Sequence, residues 1–265
     1  MSAILEGKIE DILSKSSTTA IELFMLKESL KSLMTETYQT RFQESANIYR
    51  ARLNKDFIFN KVRDFYSPPA CLLALGRANL PNVPVFYCCE IPGFSLLEVK
   101  PEKEGQYISL ATFKLKKGLN IKMISTGETN SRWKVSAENS AIKFEKYIAH
   151  IFQKDYENKN EIIELYKKTA TITSFFLGEA SYDGIGYPSI CSKSHGDCFA
   201  IKPNLIEPFL EFKEARTFRV VSYQNVNEFE VRCELIANTI KPNGDIFWQP
   251  DSTCEGHSIH SNILH

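Results

Sequence analysis

The side chains best suited to chemistry are arginines and a glutamate between residues 50 and 98. Arg50 and Arg52 stand two residues apart, and Arg77 follows a glycine. Arginine suits a diphosphate because its planar guanidinium binds phosphate oxygens bidentately and stays charged. A fixed carboxylate such as that of Glu98 stabilises the positive charge that develops on a sugar when its glycosidic bond breaks. These residue types therefore indicate a site for a phosphate-bearing nucleotide.

Each of these residues has a structural interpretation when it is taken alone. Arg50 and Arg52 would pair with nearby acids on a surface strand, and Tyr87 would be a core residue of a strand. Glu98 would be a solvated helix residue, and Ser189 a turn residue after a proline. Their occurrence together, in a fixed order along the chain, favours the functional interpretation.

Several short motifs carry these residues. Tyr49-Arg50-Ala51-Arg52 comes first, and Gly76-Arg77-Ala78-Asn79-Leu80-Pro81 and Pro84-Val85-Phe86-Tyr87 follow it. Leu97-Glu98-Val99-Lys100-Pro101 comes next, and Tyr187-Pro188-Ser189 comes much later. Together these motifs resemble the RES domain, a family named for an arginine, a glutamate and a serine. The resemblance covers roughly residues 45 to 205, and Gly-Arg-Ala-Asn-x-Pro-x-x-Pro-Val-x-Tyr is its most specific part.

The resemblance implies a bacterial toxin with a fold similar to that of ADP-ribosyltransferases. It implies that the chain depletes NAD⁺ by cleaving the nicotinamide–ribose bond, by hydrolysis or phosphorolysis, with NAD⁺ as its substrate and no cofactor. It also implies an antitoxin, and we expect that protein to cover the active site. Transfer of ADP-ribose to a protein is the alternative activity. A non-catalytic nucleotide- or partner-binding protein is the alternative from another class.

The motifs assign roles residue by residue. The resemblance implies catalytic roles for Glu98, Arg77 and Arg50. The expected NAD⁺-binding residues are Arg50, Arg52, Arg77, Tyr87 and Ser189. Arg52 also fits the first motif, so the choice between Arg50 and Arg52 stays open.

The remaining two residues of the set suit the ends of the substrate. Tyr87 offers a flat face to a nicotinamide ring. Ser189 offers a hydroxyl to a phosphate or to the ribose. The family usually has an asparagine before the strand that follows this serine, whereas this chain has Asp197 in that region.

Composition excludes several other classes of protein. The 265 residues (30.3 kDa) carry 32 basic and 32 acidic side chains, so the formal net charge is zero and direct binding of nucleic acid is not expected. No apolar run reaches the roughly 18 residues of a membrane span. Seven cysteines are an odd number for a disulfide framework. We expect reduced thiols in a cytoplasmic protein, or in one delivered into the cytoplasm of a target cell.

Two groups of cysteine and histidine are candidate zinc ligands. They are Cys191, His195 and Cys198, and Cys254, His257 and His260. Neither group has the paired Cys-x-x-Cys spacing of a strong zinc signal, so no metal site is predicted.

Strands mixed with separate helices predict an α+β fold. Its expected core is an ADP-ribosyltransferase-like split β-sheet with flanking helices. The simplest division is an N-terminal helical extension (1–44), a catalytic domain (45–240) and a C-terminal tail (241–265). The extension either packs on the domain or forms an arm for a homo-oligomer or another partner. Asp183-Gly184-Ile185-Gly186 is predicted to be a loop.

Overall fold

The computed structural model describes residues 2–33, 39–54, 58–124, 140–154, 158–191, 196–226, 228–252 and 259–260. The helices are α1 (Ser2–Ser14), α2 (Ala20–Leu33), α3 (Pro92–Glu98), α4 (Ser140–Gln153), α5 (Lys159–Gly178) and α6 (Ile206–Phe209). The strands are β1 (Gln39–Phe42), β2 (Asn47–Asn54), β3 (Phe86–Cys89), β4 (Tyr107–Leu115), β5 (Leu119–Met123), β6 (Gly184–Pro188), β7 (Asp197–Ile201), β8 (Leu210–Asn225), β9 (Glu228–Ala237), β10 (Gln249–Pro250) and β11 (Ile259–His260). The predicted α+β class is confirmed.

The strands of the described residues form a single mixed sheet. Its order is β1-β5-β6-β7-β3-β2-β4-β8-β9-β10, and β11 also pairs with β9. Neighbouring strands run antiparallel, except that β5 and β6 are parallel. Strands from both ends of the chain join this sheet, because β1 pairs with β5 and both β10 and β11 pair with β9.

The sheet is covered on both faces, as the alternation along its strands requires. On β7, Cys198 and Ala200 face the larger apolar cluster, which includes residues of α1, α2, α4 and α5. Phe199 and Ile201 face the second cluster, on the other side of the sheet. Alternate residues of a strand therefore pack on opposite faces of the sheet.

The N-terminal helices pack on the rest of the chain. α2 lies against α5, and α1 lies against α4. Ile9, Leu26 and Leu30 are fully buried in the larger apolar cluster. Both helices thus contact the helical layer of the protein, although Ile21 and Phe24 of α2 remain exposed.

The loop predicted at Asp183–Gly186 is wrong, because Gly184 and Gly186 lie in β6, between β5 and β7. The two glycines are required by close packing. A Cβ at Gly184 would lie 2.9 Å from Cδ1 of Ile121, and one at Gly186 would lie 2.8 Å from the Phe199 ring. Without a Cβ, these two residues leave room for the neighbouring side chains to lie across the strand. In the sequence alone, two such glycines look the same as glycines in a turn.

The sheet opens between β2 and β3. β2 is paired along its whole length with β4, from Asn47 opposite Lys114 to Asn54 opposite Tyr107. On its other edge, Tyr49 opposite Cys89 is the single pair with β3 among the described residues. Helix α3 lies against β2 beside this opening.

Candidate active site

A cleft of about 390 Å³ lies where β2 and β3 separate. Residues from β2, β3, α3 and the end of β6 line it. The structure brings together in this cleft most of the residues that the motifs singled out. They are Arg50, Arg77, Tyr87, Glu98 and Ser189. Arg52 is not among the residues that line the cleft.

Arg50 is a buried cation at the base of the cleft. Its side chain is 7% exposed, and Nη1 donates a hydrogen bond of 2.7 Å to the Tyr87 carbonyl. The guanidinium carbon lies 4.8 Å from the centre of the Phe86 ring. Nε is buried and has no hydrogen-bond partner among the described residues. Burial lowers the pKa of Arg50 to about 10, so the group stays charged at neutral pH.

Arg52 occupies a different environment on the same face of β2. It donates to the Asp64 carbonyl, and its guanidinium lies 5.2 Å from the centre of the Phe59 ring. Both contacts belong to the segment after β2, and Arg50, unlike Arg52, is among the residues that line the cleft. The geometry thus separates the two arginines that the motif left open.

The Gly76–Asn79 loop is fastened to β3 through Tyr87. The Tyr87 hydroxyl donates to Asn79 Oδ1 and accepts from the Ala78 amide, both at 2.9 Å. Burial raises the pKa of Tyr87, which keeps its hydroxyl neutral. A Cβ at Gly76 would collide with Asn79 Oδ1, which explains the glycine of the motif. The ring of Tyr87 is available to a ligand, but its hydroxyl is already engaged.

Arg77 connects this loop to the helical layer. Its Nη1 donates a 2.7 Å hydrogen bond to the Phe152 carbonyl at the end of α4, and its guanidinium lies 5.2 Å from the centre of the Tyr166 ring. A cation at the C-terminal end of a helix also interacts favourably with the helix dipole. Arg77 therefore anchors the cleft wall with one nitrogen while it lines the cleft.

Glu98 lies at the C-terminal end of α3 and is exposed to the cleft. Its Oε1 accepts a 2.6 Å hydrogen bond from the Ser189 hydroxyl and a 3.3 Å hydrogen bond from the Cys198 thiol. Ser189 is 1% exposed, so its hydroxyl is a fixed donor. Both donors engage Oε1, which orients the carboxylate and leaves Oε2 without a partner among the described residues.

Cys198 is a site residue that the sequence patterns did not indicate in this role. It faces Cys89 across β3 and β7, with 3.7 Å between the two sulfurs. The hydrogen bond with Cys89, burial and the nearby Glu98 raise the pKa of Cys198, so it remains a thiol that can donate to Glu98. Strand alternation determines the face of the sheet on which Cys198 lies. Its contact with Glu98 depends on how α3 packs against the sheet.

The charge of the cleft is mainly positive. Arg50, Arg77 and Lys100 line it, against the single carboxylate of Glu98. Lys100 has a φ of +47°, in the left-handed region that favours glycine, and a proline follows it. A lysine held in this conformation ends α3 beside Glu98. The balance of charges suits a dianionic group such as a diphosphate.

No cluster of three potential metal ligands occurs among the described residues. Cys191 and Cys198 both line the cleft. His195, Cys254 and His257 of the candidate zinc groups lie outside the described residues. No helix in the described part of the chain is long and apolar enough to cross a membrane.

Comparison with models of known protein families, and with curated proteins, found no match to this chain.

Proposed function

We propose that this chain is an NAD⁺-cleaving enzyme that breaks the nicotinamide–ribose bond, with an ADP-ribosyltransferase-like arrangement of its sheet. The observation that carries the proposal is the convergence of Arg50, Arg77, Tyr87, Glu98 and Ser189 on one cleft at an opening in the sheet. These residues come from segments far apart in the sequence, and separate structural roles would not require them to meet.

Arg50 is the residue best placed to bind the diphosphate. A buried charge is costly unless it is paired, and no carboxylate pairs with Arg50 among the described residues. A diphosphate bound in the cleft that Arg50 lines would supply the missing negative charge. Arg77 and Lys100 add positive charge to the same cleft.

Glu98 is the proposed catalytic residue. As the bond between ribose C1′ and the nicotinamide nitrogen breaks, its electron pair leaves with nicotinamide and positive charge builds on the ribose. The Glu98 carboxylate stabilises that charge. Water then adds to C1′ and loses a proton, for which Oε2 is the available acceptor. Ser189 and Cys198 hold the carboxylate in place through Oε1.

Tyr87 supplies the wall for the nicotinamide ring. Because its hydroxyl is bonded to the Gly76–Asn79 loop, the ring plane is held firmly for stacking. The leaving group needs no general acid, because nicotinamide departs as a neutral molecule. The cleft thus contains the groups that the cleavage requires.

The test is incubation of the purified chain with NAD⁺, with identification of the products. Nicotinamide and ADP-ribose are the expected products, and a rate that depends on phosphate would assign phosphorolysis. ADP-ribose attached to a protein would assign the transferase activity. Intact NAD⁺ after long incubation would contradict the proposal and favour a non-catalytic nucleotide-binding protein.

Glu98→Gln gives the matching variant test. It keeps the shape of the side chain and removes its charge, so we expect a fall in turnover of about 10²–10³-fold. Glu102→Gln is the control, because Glu102 is exposed and is not among the cleft residues. Equal activity of the two variants would show that Glu98 is not the catalytic carboxylate.

We also propose that the chain acts as a toxin and that an antitoxin occupies the cleft. An enzyme that drains NAD⁺ from its own cell needs an inhibitor, and blocking the substrate cleft is the simplest form of inhibition. A protein that co-purifies with the chain and is displaced from it by ADP-ribose would support this. Purification from the native host without any bound protein would contradict it.

A further inference from the structure

Ser95 lies at the point where β2 loses its pairing with β3. Its hydroxyl accepts a 2.7 Å hydrogen bond from the Ala51 amide and donates a 3.2 Å hydrogen bond to the Tyr49 carbonyl. The side chain is 5% exposed. One hydroxyl therefore bonds two backbone groups on this edge of β2, and for the Ala51 amide it supplies the acceptor that a neighbouring strand would offer.

This contact explains how the sheet opens without leaving buried backbone groups unpaired. A backbone amide or carbonyl that is buried without a hydrogen-bond partner destabilises the folded chain. The opening between β2 and β3 would expose the Ala51 amide to this cost, because Tyr49 is the residue that still pairs with Cys89. Ser95 satisfies this amide from α3 and adds a second bond to the Tyr49 carbonyl, so the helix replaces the missing strand at this position.

The same helix carries the proposed catalytic carboxylate. Glu98 follows Ser95 by three residues, and side chains at this spacing lie on the same side of a helix. Ser95 and Glu98 both line the cleft. Phe94, Leu96 and Leu97 are buried and hold the helix in the core.

We propose that Ser95 is a positioning residue, which ties α3 to the open edge of β2 and so sets the place of the Glu98 carboxylate in the cleft. The inference rests on the proposed function, because it gives Ser95 a role in NAD⁺ cleavage. It goes beyond the motif residues, since Ser95 is not among them and makes its contacts with the backbone.

The experiment compares Ser95→Ala, Ser95→Thr and Ser109→Ala. Ser109 is the matched control, because it is a fully buried serine on β4, directly opposite Arg52 on the paired edge of β2, and bonds Thr217 at 2.9 Å. We expect Ser95→Ala to lower kcat for NAD⁺ cleavage about ten- to a hundredfold, with KM within about twofold of wild type, because displacement of a reacting group acts mainly on turnover. Ser95→Thr keeps the hydroxyl and is expected to recover most of kcat, while Ser109→Ala keeps kcat and loses only stability.

Hydrogen exchange at the Ala51 amide provides a measurement that does not depend on activity. In Ser95→Ala this amide loses its acceptor, and we expect its exchange to become about tenfold faster, with no change in Ser109→Ala. An unchanged exchange rate would overturn the tie between α3 and β2. A kcat of Ser95→Ala within twofold of wild type, or a Ser95→Thr variant as slow as Ser95→Ala, would overturn the positioning role.

The two readouts also separate this inference from the proposed function. A wild-type chain that leaves NAD⁺ intact would end the proposed function and the catalytic part of the inference together. Faster exchange at Ala51 in that case would retain Ser95 as the residue that closes the open edge of β2, with no part in catalysis.

Discussion

The two edges of β2 show how one strand serves both the fold and the site. Its edge toward β4 is paired throughout, and its edge toward β3 is paired at Tyr49 and Cys89. The paired edge is part of a continuous ladder that runs through β4, β8 and β9. Helix α3 lies beside the open edge, and residues of both α3 and β2 line the cleft. A site can form here because the pairing between β2 and β3 is interrupted. The Ser95 hydroxyl accepts the hydrogen bond of the Ala51 amide, which β3 no longer accepts.

The largest effect should separate the two arginines of β2. Arg50→Lys keeps a positive charge but removes the planar fork from the base of the cleft, and we expect kcat/KM for NAD⁺ cleavage to fall about a hundredfold. Arg52→Lys is the control, because Arg52 contacts the Asp64 carbonyl and the Phe59 ring outside the cleft. It should keep kcat/KM within about threefold. A larger loss in Arg52→Lys than in Arg50→Lys would assign the motif arginine to Arg52.

A second effect should appear in stability and not in activity. Asp197 stands opposite Pro188 at the end of the β6–β7 ladder, and burial followed by the nearby Glu90 raises its pKa from 3.8 to about 6. Between these values the unfolded chain has released its proton and the folded chain still holds it, so this residue makes folding less favourable as pH rises from about 4 to 6. Asp197→Asn should therefore be more stable at pH 7, by up to about 3 kcal/mol.

Urea unfolding of wild type and Asp197→Asn at several pH values between 4 and 7 measures this difference. The two stabilities should be close at pH 4 and should diverge until about pH 6. Parallel curves would show that Asp197 titrates normally in the folded chain. Because Asp197 is not among the residues that line the cleft, kcat at pH 7 should be unchanged.

The smallest effect concerns the end of α3. Lys100→Gly relieves the left-handed backbone, which costs a lysine about 1–2 kcal/mol, but it also frees the unfolded chain, so a net gain of about 1 kcal/mol is expected. This corresponds to a rise in Tm of about 2–4 °C. The KM for NAD⁺ should rise in the same variant, because a cation leaves the cleft.

Lys103→Gly is the control for this gain. Lys103 is exposed and does not have a positive φ, so glycine there should lower Tm slightly. A lower Tm in Lys100→Gly as well would mean that the left-handed conformation carries no cost at this residue.

Much of the site could be predicted from local patterns. The interpretation of each residue taken alone already placed Arg50 and Tyr87 on strands and Glu98 on a helix, and they lie on β2, β3 and α3. Motif order singled out the residues that meet in the cleft. The prediction at Gly184 and Gly186 was wrong because glycine in a tightly packed central strand has the same local signature as glycine in a loop.

The sequence by itself determined which side chains are available for chemistry and which face of each strand they occupy, because both follow from residue type and the two-residue period of a strand. Only the tertiary structure decided that β2 and β3 part after a single pair, that Ser95 bonds the edge left open and that Cys198 donates to Glu98. Ser95 and Ala51 are 44 residues apart, and Cys198 and Glu98 are 100 apart. Contacts at such separations depend on how the strands and α3 pack against one another, which no local pattern contains.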